Sequence, residues 1–501
     1  MSSIEVQLLA AATLLILCVV ASKATSRLGI PTLVVFLGVG ILAGSEGIGR
    51  IEFNDALTTQ SLGIIALTYI LFSGGLDTKW SAIKPVMKTG LALSTIGVML
   101  TCLLMGSFMH YVLHFPLMES YLIGAIVSST DAGAVFTVLR SKNIHLKGPL
   151  KPLLELESGS NDPMAVFMTT TILQMMQNPD LTLVSMIPLL FKQMIVGGLI
   201  GFYAGKILVW LFNHVKLQIE GLYTVMSIAV VIFIYSITQN VDGNGFLAVY
   251  IAGVVLGNHS FVFKKSLSLM HDGISWLMQS VMLLTLGLLI YPSRVIDVSS
   301  SGFLIASFMI LLARPISVFI SLAFSNLNLR EKLLISWVGL RGSVPVVMAT
   351  YPLVAGIDRT GLILNLVFFI AVTSLIIQGT SISFIAKLLK VKGASSDEET
   401  SHSTTPGLLN DIVTVDVPLN SPIVDKTIIE LGLPHNKVLI VAIERKGSVI
   451  IPRGSTPLRA GDKISIMADD DSLADFVELL WVPKAPPPRK RYLKALKERY
   501  V

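Results

Sequence analysis

Residues 120–141 read SYLIGAIVSSTDAGAVFTVLRS. At 22 residues the stretch is the length of one membrane crossing, which takes about 20 mostly apolar residues. Yet Ser128, Ser129, Thr130 and Asp131 stand together at its midpoint, and apolar sequence resumes at Ala132. Hydroxyls and carboxylates offer the backbone an alternative to its helical hydrogen bonds, so the block predicts an interrupted helix. Unwound backbone at membrane depth is tolerated only where it lines a cavity or is buried in protein. Residues 332–353, KLLISWVGLRGSVPVVMATYPL, carry the same kind of interruption at Gly339, Arg341, Gly342, Ser343 and Pro345. Two such breaks in different halves of a chain point to a secondary transporter whose half-helix ends meet near the midplane. The helices around them, fourth to sixth and eleventh to thirteenth, would then be inverted counterparts.

The rest of the chain agrees. Its 501 residues are 53% hydrophobic and only 14% charged, where a soluble domain carries about 25% charge. This is an all-α polytopic membrane protein of about 13 transmembrane helices. The segments run near 5–22, 30–48, 59–76, 89–112, 119–139, 149–176, 186–213, 219–239, 244–258, 272–291, 301–324, 331–353 and 361–386. Seventeen Lys and Arg residues fall in alternate loops, beginning after the first segment, against Arg50, Arg294 and Arg359 in the others. That bias sets the N-terminus outside and the C-terminal tail in the cytoplasm. The net charge of +6 is modest and gives no ground for a nucleic-acid partner. Cys18 and Cys102 lie within apolar stretches and read as buried free thiols.

Past residue 392 the texture changes. Residues 393–410 form a polar, acidic linker, so 1–392 is the transmembrane domain. Residues 411–482 alternate strand-like runs (DIVTVDVPL, KVLIVAIERKG, DKISIMAD) with short helical ones (DKTIIELGL, ending at glycine, and DDSLADFVELL), a small α/β domain. The tail at 483–501 is proline-rich and then basic, suited to solvent, anionic membrane lipid or a further domain. The soluble region from 411 onward contains no GxGxxG fingerprint, so a full dinucleotide-binding fold is not expected.

Ionisable groups at membrane depth cost several kcal/mol unless paired or hydrated, and so mark function. The deepest here are Asp131, Glu157, Asp162, Arg314 and Arg341. In the sixth segment, LELESGSNDPMAVF at 154–167, Glu157 and Asn161 lie on one helix line and Ser158 and Asp162 on the next. Together they cover an arc of about 140°, a polar stripe on an otherwise apolar helix. Its groups are hard oxygen donors, which suit an alkali cation or a proton. Salt-bridging to arginines on neighbouring helices is the structural alternative for Glu157 and Asp162. No GxSxG or HExxH set speaks for an enzyme, and no TVGYG-type filter for a cation channel, the rival outside the transporter class.

ESGSNDP, preceded by SSTDAGAVF and followed by the GLRGSVP helix, resembles the monovalent cation/proton antiporter superfamily. The branch is that of electroneutral exchangers, in which Asn-Asp replaces Asp-Asp. The resemblance covers roughly residues 5–390. The tail resembles the C-terminal half of potassium-conductance regulator modules, and the combination looks most like bacterial potassium/proton antiporters of the cell-volume-regulation type. Many of those continue into another domain, which leaves the native length open. The resemblance implies a homodimer in the bacterial inner membrane that exchanges cytoplasmic K+ for external H+ one for one, serving potassium and pH homeostasis. A Na+(Li+)/H+ exchanger is the same machine with another ion. It implies that Asp162 binds cation or proton, that Asn161 holds the site, and that Glu157 and Ser158 coordinate or brace. Thr130 and Asp131 would add oxygen ligands from the unwound segment. Arg341 would offset the converging helix ends and pair with the acidic stripe, with Arg314 a second partner. No cofactor is implied beyond the transported ions; the tail would be a gate for a small regulatory ligand such as a nucleotide. Pro163, following Asp162, departs from the glycine or acid common there and should draw Asp162 away from regular helix geometry.

Overall fold

The computed structural model describes residues 4–26, 32–391 apart from isolated loop positions (143, 145, 147, 179, 216, 358 and 359), and the tail from 412 to 468 apart from 419–420, 434–437 and 446–447, with Phe476 and Leu480. The expected linker, the basic tail and most of a predicted helix at DDSLADFVELL lie outside these residues. The chain divides into two compact units, residues 1–395 and 396–501.

The first unit is helical: α1 Ile4–Ser26, α2 Thr32–Ala43, α3 Ala56–Asp77, α4 Trp80–Tyr111, α5 Leu117–Ile126, α6 Ala132–Ser141, α7 Leu150–Gln177, α8 Leu183–His214, α9 Glu220–Asn240, α10 Gly245–Gly257, α11 Lys264–Leu289, α12 Ser299–Ser321, α13 Leu329–Trp337, α14 Ser343–Val354 and α15 Thr360–Leu388. A helix, or a pair of helices, occupies each of the thirteen predicted segments. Among the described residues, eight helices (α1, α3, α4, α8, α9, α11, α12 and α15) are long and apolar enough to cross a membrane, with four shorter apolar ones. Large apolar side chains stay exposed on their outer faces, among them Phe202, Trp210, Phe233, Leu311 and Phe384, as lipid allows and water does not.

The starts follow local chemistry. Asp55 caps α3, accepting from the Thr58 amide at 3.0 Å, and Asn328 with Glu331 closes a capping box on α13. Two packed groups result. In one, α3 lies against α10 and α11, with α1, α2, α8 and α9 around them. Backbones touch there: a Cβ on Gly75 would stand 3.1 Å from the Cα of Gly253, the small-residue contact that membrane helices use. The other group gathers α4, α5, α6, α7, α12, α13 and α15.

The inverted counterparts share a detail that periodicity did not foretell. Both α4 and α12 contain a five-residue π-helical stretch, Leu93–Gly97 and Met309–Ala313. The two helices pack together, with Phe108 stacked on Phe308 and Thr101 donating to Ser317 at 3.1 Å. One expectation is overturned: α7 runs unbroken through Pro163. A proline disfavours helical geometry in the residue before it without forbidding it. The side-chain amide of Asn244, the N-cap of α10, also donates to the Pro163 carbonyl at 2.9 Å.

In the second unit an antiparallel sheet runs in the order β1 (Ile412–Asp416), β4 (Lys463–Ala468), β2 (Val438–Arg445), β3 (Ser448–Ile450). The short helix expected at DKTIIELGL is a single 3₁₀ turn, Ile429–Leu431, ended by Gly432 with φ +60°. Ile440, Ile443, Ile464, Ile466 and Leu458 form the core. Beside it Arg445 clamps Asp462 through two bonds, 2.8 and 2.7 Å, and the Arg459 amide adds a third at 2.8 Å. The Arg445 guanidinium, chiefly through these hydrogen bonds, holds the Asp462 carboxyl below its ordinary value. A depressed carboxylate lends stability above its unfolded value, about 3.9, that is lost as pH falls through the folded one. Asp462→Asn should therefore loosen this sheet at pH 7 and flatten its acid dependence. Hydrogen exchange of residues 438–468 in the full chain checks this; unchanged protection would refute it.

Candidate functional site

The site is built where the two interrupted helices meet. α5 ends at Ile126 and α6 begins at Ala132, leaving Val127–Asp131 unwound. α13 ends at Trp337 and α14 begins at Ser343, leaving Val338–Gly342 unwound. The strands of backbone between them touch: the Asp131 amide donates to the Leu340 carbonyl at 2.8 Å. Gly342 makes that approach possible, since a Cβ there would stand 2.8 Å from both Cβ and Cγ of Asp131. α15 secures the second break. Ser374 receives the Arg341 amide at 3.0 Å, and Gln378 donates to the Trp337 carbonyl at 2.8 Å.

Arg341 is fully buried, and its Nη1 donates to the Ser128 and Ser129 carbonyls, both at 2.6 Å. These carbonyls close the C-terminal end of α5, where helix dipoles leave partial negative charge. Arg341 thus stands against a helix end. Its pairing with the acidic stripe is a correction: among the described residues no carboxylate salt-bridges to it. That role falls to Arg314, at the start of the α12 segment after the π stretch, whose Nη2 meets Glu157 Oε1 at 2.5 Å with both side chains buried. The reason is angular. Glu157 and Asp162 stand about 140° apart around α7, so one edge of the stripe faces α12 and the other faces the first break.

On that second edge the predicted groups converge. Asp162, 6% exposed, accepts a hydrogen bond from Ser129. Asn161 donates to Thr130 Oγ1 at 2.5 Å, and its own carbonyl oxygen, fully buried, has no hydrogen-bond partner. Ser158 Oγ receives the Ala132 amide at 3.1 Å, at the first turn of α6. Asp131 caps α6, accepting from the Ala134 amide at 3.2 Å. Ser129 was missing from the sequence-derived set, although it stands beside Thr130 in the same polar block. Buried polar groups normally find partners. The open amide oxygen of Asn161, the Asp162 and Asp131 carboxylates and the hydroxyls of Ser129, Thr130 and Ser158 gather along the first break, hard oxygens that suit an alkali cation or, at a carboxylate, a proton.

A membrane bundle with paired broken helices around buried carboxylates is an ion-coupled secondary transporter. The transmembrane sodium/hydrogen exchanger profile matches residues 12–388, and a TrkA-C domain profile matches 412–480. The chain belongs to the sodium/hydrogen exchanger family. The K(+)/H(+) antiporter NhaP of Alkalimonas amylolytica is 35% identical over 484 residues, 96% of this chain and 84% of that one. The K(+)/H(+) antiporter NhaP2 of Shewanella sp. strain ANA-3 is 36% identical over 477 residues, 94% and 82% of the two. In fold, the chain resembles the sodium proton antiporter MjNhaP1 of Methanocaldococcus jannaschii, with a TM-score of 0.66 and 24% identity over 76% of this chain and 99% of that one.

Proposed function

We propose that the protein exchanges cytoplasmic K+ for external H+, one for one, by alternating access in a bacterial inner membrane. The observation that carries this reading is the pair Asn161–Asp162. Asp162 is the acid of the stripe that faces the break, the residue beside it is an amide already bonded to Thr130, and the nearby Asp131 is engaged as the cap of α6. Desolvation disfavours a charged carboxylate and a bound cation favours it, so cation and proton exclude each other at Asp162. Arg314 neutralises the other acid of the stripe, which leaves Asp162 as the stripe's one acid free to exchange. Potassium is preferred because the relatives of highest coverage are named for it; sodium is the second reading, from the titles of the structural neighbours.

The loop charge bias supports an external N-terminus and a cytoplasmic regulatory domain. We take the unit to work as a homodimer, with a small ligand such as a nucleotide acting on the TrkA-C-like domain. Purified protein in proteoliposomes should dissipate a pH gradient on addition of potassium, with sodium and lithium weaker. Steady-state exchange should not respond to an imposed voltage. A clear voltage dependence would overturn one-for-one exchange, and sodium outpacing potassium would overturn the ion.

A further inference from the structure

Tyr250 stands in α10, in the helix group that α7 packs against. It is 4% exposed, yet its hydroxyl has no hydrogen-bond partner, which is unusual for a buried phenol. Its ring lies on Gly159, inside the ESGSNDP motif. A Cβ on Gly159 would stand 2.5 Å from the ring's Cζ and 2.9 Å from the hydroxyl oxygen. Gly159 is therefore the notch that admits the ring, next in the chain to Ser158 and three residues before Asp162. Pro163 adds an independent feature. It has no N–H, so the Gly159 carbonyl loses the donor that a regular helix would give it. The phenol and a carbonyl that lacks its regular helical donor thus both belong to the seam between α7 and α10. Thr78 is the hydroxyl nearest to serving the phenol, short of a well-formed hydrogen bond, and Glu155 is its charged neighbour. Glu155 is part-exposed and paired with Lys151 at 3.9 Å, near the start of α7.

Resting on the antiport reading above, we propose that Tyr250 and Gly159 form a cation stop on the Glu155 side of Asp162. The phenol oxygen and the Gly159 carbonyl replace water on an entering monovalent cation, and the ring, seated in its notch, closes the seam over the site. Tyr250 is then a ligand to the ion in transit, and the tight fit at Gly159 sets how freely α7 moves past α10.

The full chain in proteoliposomes tests this, with potassium and sodium as the probes. Tyr250→Phe keeps the ring and removes the oxygen. The half-saturating potassium concentration should rise about 3- to 10-fold, the worth of one hydrogen-bond-like contact, with maximal rate nearly unchanged and the potassium-to-sodium preference altered. A structural role alone would not move that preference. Gly159→Ala fills the notch and should lower maximal rate at least about tenfold with half-saturation little changed. Wild-type half-saturation and preference in Tyr250→Phe overturn the ligand role, and a wild-type rate in Gly159→Ala overturns the closure. If Gly159→Ala does not fold, Tyr250→Phe alone decides. Wild-type protein that moves no ion overturns antiport itself, a result distinct from either.

Discussion

Asp162→Asn should reduce exchange to background while the protein inserts and purifies as before. The amide keeps an oxygen for Ser129 to donate to, so the packing of α7 against the first break survives. What disappears is the charge. A unit charge and a cation about 4 Å apart attract by about 4 kcal/mol at an effective dielectric of 20, roughly three orders of magnitude in binding. The amide also cannot take up a proton near neutral pH, so the competition that couples the two ions is lost with it. PH-gradient dissipation in proteoliposomes reads both effects. Exchange persisting in Asp162→Asn would move the transport site elsewhere.

Breaking the Glu157–Arg314 pair should have the second largest effect, and on a different property. Both groups are buried, and removing one partner of such a pair leaves an uncompensated charge, at about 3–5 kcal/mol. Glu157→Gln and Arg314→Met alone should each lower the melting temperature of the detergent-purified protein and its yield. The double variant replaces the pair by neutral groups of similar size and should recover most of that loss. Its transport then separates the two roles open to Glu157. Exchange restored with stability makes Glu157 a brace; stability restored without exchange makes it an ion ligand. Single variants as stable as the wild type would show that the pair does not hold the bundle.

The breaks in the fifth and twelfth segments were legible because helix-competing groups stand at the middle of stretches otherwise the right length to cross a membrane. The convergence of Asp162, Asn161 and Ser158 was legible from i, i+4 spacing on one helix. Which arginine serves which acid was not. Arg314 lies 157 residues from its partner, and no local period encodes how α12 crosses α7. The expected pairing of Arg341 with the stripe failed for the same reason: its reach was decided by where the carbonyls of Ser128 and Ser129 emerge. Pro163 misled because its local preference was outweighed by the context of a long, packed helix. Ser129 could have been found, since a carboxylate in a break needs donors and the block supplies two adjacent serines.

The π stretch in α12 acts as an indexing step. A π turn accommodates one residue beyond the α-helical repeat, and a single residue turns a helix by about 100° and advances it about 1.5 Å. The half of α12 before Met309 and the half from Arg314 onward are therefore clocked independently. One half can present its face to α15 while the other swings Arg314 toward Glu157. Removing one residue from Met309–Ala313 would lock the two halves to a single dial and carry the guanidinium about a quarter-turn off its carboxylate. The same widening in α4 makes this a paired adjustment, through which each half of the molecule can set its aim on α7 without repacking its outer surface.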